Sequence, residues 1–172
     1  MPLTIETGAG VSGAQAYADA AAYVTWATAQ FGAAPAASTA LIEAAILRAV
    51  ARLETLRWVG SKVGGRSQAL AWPRSDAVDA EGEEIAETEV PAEVITAQHA
   101  MTKAEIDSPG ALAPNVTLFG KKVLNKVNTL GWEVQKAPNT VDASRMTVSA
   151  AMDAIKGLLV NGDGSTRFLE RA

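Results

Sequence analysis

The amino-acid sequence predicts a mainly α-helical protein, built as a small helical bundle of about four helices with a short β-hairpin and an extended C-terminal tail. Two observations predict this fold. Apolar residues recur at steps of three and four in several segments, which is the period of one helical face. Between residues 116 and 135 this period gives way to short β-prone runs around Gly131, a pattern typical of a hairpin.

The first two helices are predicted from their apolar stripes. The first is expected to start at the N-cap candidate Ser12 and to end at Gly32. Its inward stripe is Tyr17, Ala21, Val24, Thr28 and Phe31. The second helix is expected to start near Ser38 or Thr39 and to stop after Trp58. Its stripe is the clearest in the chain and consists of Ile42, Ile46, Ala49, Leu53 and Leu56.

A long loop and a third helix follow. Residues 59–90 show no regular period, so we predict a surface loop that is either functional or held by a neighbouring subunit. Acidic residues dominate its second half. Pro91 suits the first turn of the third helix, and Glu93 lies near the positive end of the helix dipole. This helix is expected to bury Val94, Ala97, Met101 and Ala104.

The C-terminal part combines the hairpin with a last helix. The predicted strands are 122–127 and 132–135, and the β-prone residues 116–119 precede them. The last helix, over 147–160, is expected to bury Val148, Met152, Ile155 and Leu159. We therefore divide the chain into a helical bundle at 1–110, which includes the 59–90 loop, and a part at 111–172 with the hairpin, last helix and tail.

The composition excludes several classes of protein. Without cysteine the chain has no disulfide, thiol nucleophile or thiolate metal site. No stretch approaches the ~18 apolar residues of a membrane span, and no signal-peptide pattern opens the chain, so we expect a soluble protein made in a reducing cytoplasm. The net charge of −4 argues against a surface built wholly for phosphates.

The charge is unevenly divided. Residues 1–115 hold 7 basic and 14 acidic residues, whereas residues 116–172 hold 8 basic and 5 acidic residues. An interaction tail and two ordinary solvated faces both fit this division.

Two glycine-rich motifs match nucleotide-binding signatures, but the predicted elements around them are not those that a nucleotide site requires. Residues 8–13 carry the dinucleotide fingerprint, yet no second strand follows and the acidic residue expected ~20 positions on is missing. Residues 60–67 have the glycine spacing of a P-loop, but Arg66 replaces the lysine and the segment leaves a helix rather than a strand. We interpret the first as a flexible lead-in to a helix and the second as a helix stop.

No catalytic or metal-binding group emerges from the titratable residues. The single histidine, His99, has no partner that spacing assigns, so we predict an ordinary residue at the surface or boundary of the third helix. The carboxylates of residues 76–89 lack the ligand order of an EF-hand loop, which favours a solvated acidic loop. We therefore expect a protein that is not an enzyme and has no metal and no cofactor.

One segment of the long loop stands out, residues 68–74 with the sequence Gln-Ala-Leu-Ala-Trp-Pro-Arg. Trp72 offers a large amphipathic ring, Pro73 restricts the residue before it, and Arg74 supplies a forked cation. The segment either pins the loop onto the bundle or makes a direct contact with another subunit. The residues concerned are Gln68, Leu70, Trp72, Pro73 and Arg74.

With this segment, the chain resembles the head-tail connector or adaptor family of tailed bacteriophages, some of whose members carry the label DnaT-like single-stranded-DNA-binding protein. The similarity covers about residues 12–106. It rests on Ala-Tyr-Ala-Asp-Ala at 16–20, Ala-Leu-Ile-Glu-Ala at 40–44, Leu-Arg-Trp-Val-Gly at 56–60, the 68–74 segment and Val-Pro-Ala-Glu-Val at 90–94.

The resemblance implies a structural protein of the virion neck, between capsid portal and tail. The subunits would form a homo-oligomeric ring, of twelve copies, beneath the portal and above a downstream stopper or tail protein. Phage DNA would pass through the lumen without sequence-specific binding, and no membrane would be involved. The resemblance further implies a portal-docking tail that uses Arg167, Phe168, Leu169 and Arg171.

The alternative function is that of a single-stranded-DNA-binding or replication accessory protein. Such a protein needs a basic groove with aromatic stacking residues. The hairpin region supplies candidates for this groove, although a hairpin that packs its tryptophan inward has the same sequence pattern. These candidates are Lys121, Lys122, Lys126, Trp132 and Lys136.

Overall fold

The computed structural model describes residues 2–113 and 147–160 in full, and the backbone of 122–128 and 131–136. Four α-helices lie within these ranges: α1 (Ala20–Phe31), α2 (Thr39–Leu53), α3 (Ala92–Asp107) and α4 (Ser149–Ile155). Two short strands pair antiparallel, β1 (Ser61–Lys62) and β2 (Arg74–Ser75), and β3 (Lys122–Asn128) pairs antiparallel with β4 (Gly131–Lys136). The predicted mainly α-helical fold with a hairpin is confirmed, whereas residues 116–119 and the tail at 166–172 lie outside the described ranges.

Helix α2 lies at the centre of the core and packs against α3. Its N-cap is Ser38, as predicted, and the predicted inward residues Ile42, Ile46, Ala49 and Leu53 are buried. The helix ends at Leu53 rather than after Trp58, because the next amides bond three residues back and tighten the turn. The Trp58 indole then donates to the Leu53 carbonyl at 3.2 Å, which satisfies a group at the helix end.

Helix α1 starts seven residues later than the sequence predicted. Asp19, not Ser12, is the N-cap, and its carboxylate accepts from the Ala22 amide at 2.8 Å. The predicted stripe is therefore wrong in register, since the buried residues of the helix are Ala20, Tyr23 and Ala27. Of the predicted stripe, Tyr17 is buried ahead of the helix, Val24 is half-buried, and Ala21, Thr28 and Phe31 are exposed.

The glycine-rich segment before α1 is closed by a buried carboxylate. The Glu6 side chain accepts from the backbone amides of Gly8, Gly10 and Val11 at 2.9, 3.0 and 2.8 Å. A Cβ on Gly8 would lie 2.0 Å from the Thr88 carbonyl oxygen, so only glycine fits there. The amides that a dinucleotide phosphate would need are thus taken by the chain's own carboxylate, and the predicted flexible lead-in is an ordered loop.

Helix α3 begins at Ala92, so Pro91 is its N-cap rather than part of its first turn as predicted, and the helix buries Val94, Ala97 and Met101, while Ala104 is half-buried. It also buries several polar residues: Gln98, His99, Thr102 and Glu105.

The Glu105 carboxylate closes the C-terminal end of α3. It accepts from Arg48 Nε at 2.6 Å and from the amides of Gly110 and Leu112 at 2.8 and 3.0 Å. Burial alone would raise the pKa of Glu105, but the two amides and the guanidinium outweigh it and hold the pKa below its usual value. The turn after α3 is therefore fixed to α2 through one ionised group.

Helix α4 packs on α3 and is shorter than predicted. The chain continues from its last residue into one 3₁₀ turn, Lys156–Leu158. Ile155 and Leu159 are buried as predicted, whereas Val148 and Met152 are half-buried. Backbone hydrogen bonds join this end to the exit of α2, from Val59 N to the Leu158 carbonyl at 3.0 Å and from Val160 N to the Arg57 carbonyl at 2.9 Å. The division of the chain near residue 110 stays a prediction.

The 59–90 loop is only partly a surface loop. Strands β1 and β2 pair across its first half, and Leu70, Ala71, Trp72 and Ala77 are buried in the core. The prediction of a surface loop is wrong for this half, because its buried apolar side chains follow no regular helical or strand period in the sequence. No helix of the described ranges is long and apolar enough to cross a membrane.

His99 is buried rather than at the surface, which corrects the sequence prediction. Only 3% of it is exposed, and its ring centroid lies 5.9 Å from that of Tyr23 and 5.4 Å from that of Trp26. Its Nδ1 has no hydrogen-bond partner among the described residues. Burial lowers the pKa of His99 from 6.5 to about 4, and the Asp19 carboxylate opposes this shift only in part.

Acid should therefore destabilise the bundle through His99. Because the folded-state pKa lies below the unfolded-state value, the unfolded chain binds the proton more readily, and stability is lost as the pH falls from about 6.5 towards about 4. Urea unfolding of the native chain and of His99→Phe, at about pH 7 and about pH 4.5, measures this. The native chain should lose more stability than the variant between the two pH values, and equal losses would contradict the assignment.

Candidate functional site

The tryptophan of the 68–74 segment is a core residue. Trp72 is fully buried and its ring meets that of Trp58 edge-on, with centroids 5.9 Å apart and an interplanar angle of 82°. The Trp72–Pro73 peptide bond is cis. The two tryptophans join the loop to the exit of α2, so the segment pins the loop onto the bundle.

Gln68 fixes the shape of this segment from within. Its side-chain amide donates to the carbonyls of Leu70 and Pro73, both at 2.9 Å, and its side-chain oxygen accepts from the Gly64 amide at 2.9 Å. One buried side chain therefore supplies three hydrogen bonds to backbone that no regular secondary structure satisfies.

Arg74 ties the other end of the segment to the α2 exit. Its Nε donates to the Val59 carbonyl at 2.5 Å, and its two terminal nitrogens donate to the carbonyls of Ala71 and Gly60 at 3.1 and 2.6 Å. Burial lowers the pKa of Arg74, and the nearby Tyr17 and Glu54 oppose this shift. The guanidinium is thus a rigid, fixed positive charge.

The Glu54 carboxylate connects the 68–74 segment to Tyr17 and Lys62. Its Oε1 accepts from the Tyr17 hydroxyl at 2.9 Å and from the Ala71 amide at 2.8 Å, and its Oε2 lies 3.7 Å from Lys62 Nζ. The Tyr17 hydroxyl in turn accepts from the Trp72 amide at 3.3 Å. Burial and the adjacent carboxylate raise the pKa of Tyr17, so the phenol stays neutral and keeps donating to Glu54.

These contacts shape an open cleft of about 380 Å³, which we call the basic cleft. Its lining combines three cations, one carboxylate and an apolar floor. The residues are Glu54, Leu56, Arg57, Trp58, Lys62, Ala71, Arg74 and Val160. The side-chain charges of this lining are therefore positive on balance, in a chain whose net charge is −4.

Two cations of the cleft are available to a ligand. Arg57 is exposed, and its guanidinium has no hydrogen bond or ion pair within the described part of the chain. Lys62 is half-buried; its Nζ donates a long hydrogen bond of 3.4 Å to the Gln68 carbonyl and lies 3.7 Å from Glu54 Oε2, which leaves it donors for a ligand. A guanidinium and an ammonium at the mouth of a concave site favour a phosphate or another oxyanion. Trp58 is buried, so it forms the floor and cannot stack on a base from the solvent side.

The described ranges contain no cluster of three or more histidine, cysteine, aspartate or glutamate residues that could hold a metal ion.

The hairpin carries a second group of basic residues. Its register pairs Lys122 with Lys136 and Val127 with Trp132, while Lys126 pairs with Glu133. Lys121, which the sequence also suggested, lies outside the described residues.

Within the 68–74 segment, Gln68, Leu70, Trp72 and Pro73 are buried inside the chain and Arg74 is half-buried. A role of these residues in subunit contacts stays a prediction. The portal-docking residues Arg167, Phe168, Leu169 and Arg171 lie outside the described ranges. The sequence prediction missed Glu54, Arg57 and Lys62 as site residues, although Arg57 belongs to the Leu-Arg-Trp-Val-Gly motif that carried the resemblance.

Arg74→Lys should destabilise the protein by about 1–3 kcal/mol, because an ammonium cannot donate to three carbonyls in the planar arrangement of a guanidinium. Arg66→Lys is the matched control, since Arg66 is exposed on the neighbouring turn and should change stability by less than about 0.5 kcal/mol. Urea unfolding measures both variants. Equal stabilities of the two variants would show that the three contacts of Arg74 do not hold the loop.

Comparison with known proteins gives one result. No curated protein and no solved structure matches the chain. A family model described as "Putative DnaT-like ssDNA binding protein" matches residues 1–172, and the chain therefore belongs to this DnaT-like family.

Proposed function

We propose that this protein binds single-stranded DNA and that the basic cleft binds its phosphate backbone. The observation that carries the proposal is the cleft itself, where Arg57, Lys62 and Arg74 surround an open space in an acidic protein. The description of the family names single-stranded DNA and supports the same function.

The three cations have different parts in this proposal. Arg57 contacts a phosphate directly, because its donors are not used by the described part of the chain. Lys62 contributes a second charge and is kept near the cleft by Glu54 at 3.7 Å. Arg74 already donates to three backbone carbonyls, so it attracts phosphate through its positive charge and not through a direct hydrogen bond.

The shape of the site favours a single strand over a duplex. A flexible strand can bend one phosphate into a concave cleft, whereas a duplex has a persistence length of about 150 base pairs and presents its phosphates on a convex surface. The hairpin adds Lys122, Lys126 and Lys136 as further backbone contacts, with Trp132 as the candidate stacking residue. Contacts to the backbone alone give binding without sequence preference.

Fluorescence anisotropy with a labelled oligothymidylate of about 15 nucleotides, at several salt concentrations, tests the proposal. Each phosphate contact to a single strand contributes about −0.7 to the slope of log K against log salt. Arg57→Ala and Lys62→Ala should each weaken binding and flatten the slope by about that amount. Lys156→Ala is the control, because Lys156 is exposed and outside the cleft, and its slope should equal that of the native chain.

Absence of salt-dependent binding by the native chain would refute the proposal. If the native chain binds but Arg57→Ala and Lys62→Ala both keep the native slope, the phosphate contacts lie outside the basic cleft. The triple variant Lys122→Ala, Lys126→Ala and Lys136→Ala then decides whether the hairpin alone carries the function.

A ring-forming head-tail adaptor of a tailed phage is the second candidate. The observation that favours it is the exposure of large apolar side chains, since Phe31 is 58% and Leu41 62% exposed in the single chain. In the ring, neighbouring subunits would bury this apolar area against one another. In this function the protein forms a ring beneath the portal, DNA passes through the lumen, and residues 166–172 dock onto the portal.

Deletion of residues 166–172 tests the adaptor function. The intact chain should be retained on purified portal protein, and the shortened chain should be lost from it because Phe168 and Leu169 would anchor the contact. Light scattering on the intact chain gives the number of subunits. A monomeric chain that the portal does not retain would remove the adaptor function.

A further inference from the structure

The Glu54 carboxylate lines the basic cleft with only one of its two oxygens used by the chain. Its Oε1 accepts from the Tyr17 hydroxyl at 2.9 Å and from the Ala71 amide at 2.8 Å. Its Oε2 accepts no hydrogen bond from any residue that the structure describes, and its ion-pair partner, Lys62 Nζ, is 3.7 Å away. The side chain is 25% exposed, and a carboxylate has about four acceptor sites, so Oε2 is available to a ligand in the cleft.

A negative charge in this cleft needs an explanation, because a carboxylate repels the phosphate that Arg57 and Lys62 attract. The bonds to Tyr17 and Ala71 do not explain it, since the side-chain oxygen of a glutamine would accept both of them without any charge. A strong acceptor beside two cations suits a ligand that carries donor groups close to its phosphate. In single-stranded DNA these donors are the N–H groups of the bases.

We propose that the basic cleft holds one nucleotide of the strand, with its phosphate at Arg57 and the exocyclic amino group of its base at Glu54 Oε2. This inference rests on the DNA-binding function proposed for the cleft and adds the bases that the cleft prefers. Cytosine, adenine and guanine carry an exocyclic amino group, whereas thymine and uracil carry a carbonyl oxygen instead. Thymine and uracil present one ring N–H between two carbonyl oxygens, and both oxygens repel a carboxylate.

The size and the lining of the cleft agree with a single nucleotide. Its volume of about 380 Å³ lies near the lower end of the range of about 300–1,000 Å³ for small-molecule sites. Val160 is 43% exposed and Leu56 is half-buried, so both present apolar surface against which a base can pack. A base that packs there loses water from its edge, and a charged acceptor such as Glu54 replaces that water with a stronger hydrogen bond.

Fluorescence anisotropy of the full chain with labelled oligodeoxycytidylate and oligodeoxyuridylate of about 15 nucleotides, at neutral pH, tests the preference. The two strands have the same phosphates and sugars, and their bases differ in the amino group or carbonyl oxygen at C4 and in the proton on N3. The native chain should bind the cytidylate at least about fivefold more tightly than the uridylate. The salt dependence should be the same for both strands, because it reports the phosphate contacts.

Glu54→Gln tests which residue selects the base. The glutamine oxygen still accepts from Tyr17 and Ala71, while an N–H donor takes the place of Oε2 and suits the carbonyl oxygen of uracil. The preference for the cytidylate should therefore disappear or reverse, and urea unfolding verifies that the variant is folded. Glu93→Gln is the matched control, because Glu93 is exposed outside the cleft and the variant loses the same charge. It should keep the native preference.

The failure of this inference differs from the failure of DNA binding. Equal, salt-dependent affinities of the native chain for the two strands would overturn the base preference and leave the phosphate contacts in place. A native preference that Glu54→Gln retains would show that another group selects the base, which also overturns the inference. Absence of salt-dependent binding to either strand would refute the DNA-binding function and the base preference together.

Discussion

The Glu54 carboxylate is the interaction on which the shape of the candidate site depends. It lies one residue beyond the end of α2 and holds the Tyr17 hydroxyl from the N-terminal segment and the Ala71 amide from the long loop. Without it, the Ala71 amide would be left without an acceptor in a partly buried position, at a cost of about 1–3 kcal/mol. The Oε2 atom of the same carboxylate lies 3.7 Å from Lys62 Nζ. Glu54 therefore holds the loop in place and also lies beside a cation of the basic cleft.

Buried carboxylates recur as the means by which this chain fixes irregular backbone. Glu6 receives three amides of the glycine-rich segment, and Glu105 receives two amides of the turn after α3. Each anion thus replaces the hydrogen bonds that regular secondary structure would otherwise supply. The consequence for function is that the amides of the glycine-rich segment 8–13 are occupied within the chain. The second glycine-rich motif, 60–67, begins seven residues beyond Leu53, the last residue of α2, so its interpretation as a helix stop is wrong.

The sequence predicted those parts of the fold that have a clear period. Helices α2 and α3 and the hairpin follow from apolar spacing and β propensity. The start of α1 was misjudged because Ser12 and Asp19 are both good N-caps, and only the buried Glu6 loop decides between them. His99 was misjudged because its aromatic neighbours Tyr23 and Trp26 are more than 70 positions away in sequence. The basic cleft escaped prediction for a different reason. Arg57, Lys62 and Arg74 are close in sequence, but the path of the loop that brings them together depends on the buried Trp72.

The most direct measurement of the central claim is hydrogen–deuterium exchange of the full chain with and without an oligothymidylate of about 15 nucleotides. Binding at the basic cleft predicts slower exchange in peptides that cover residues 56–62 and 71–75. Unchanged exchange in both of these segments, under conditions where the oligonucleotide is bound, would contradict the account.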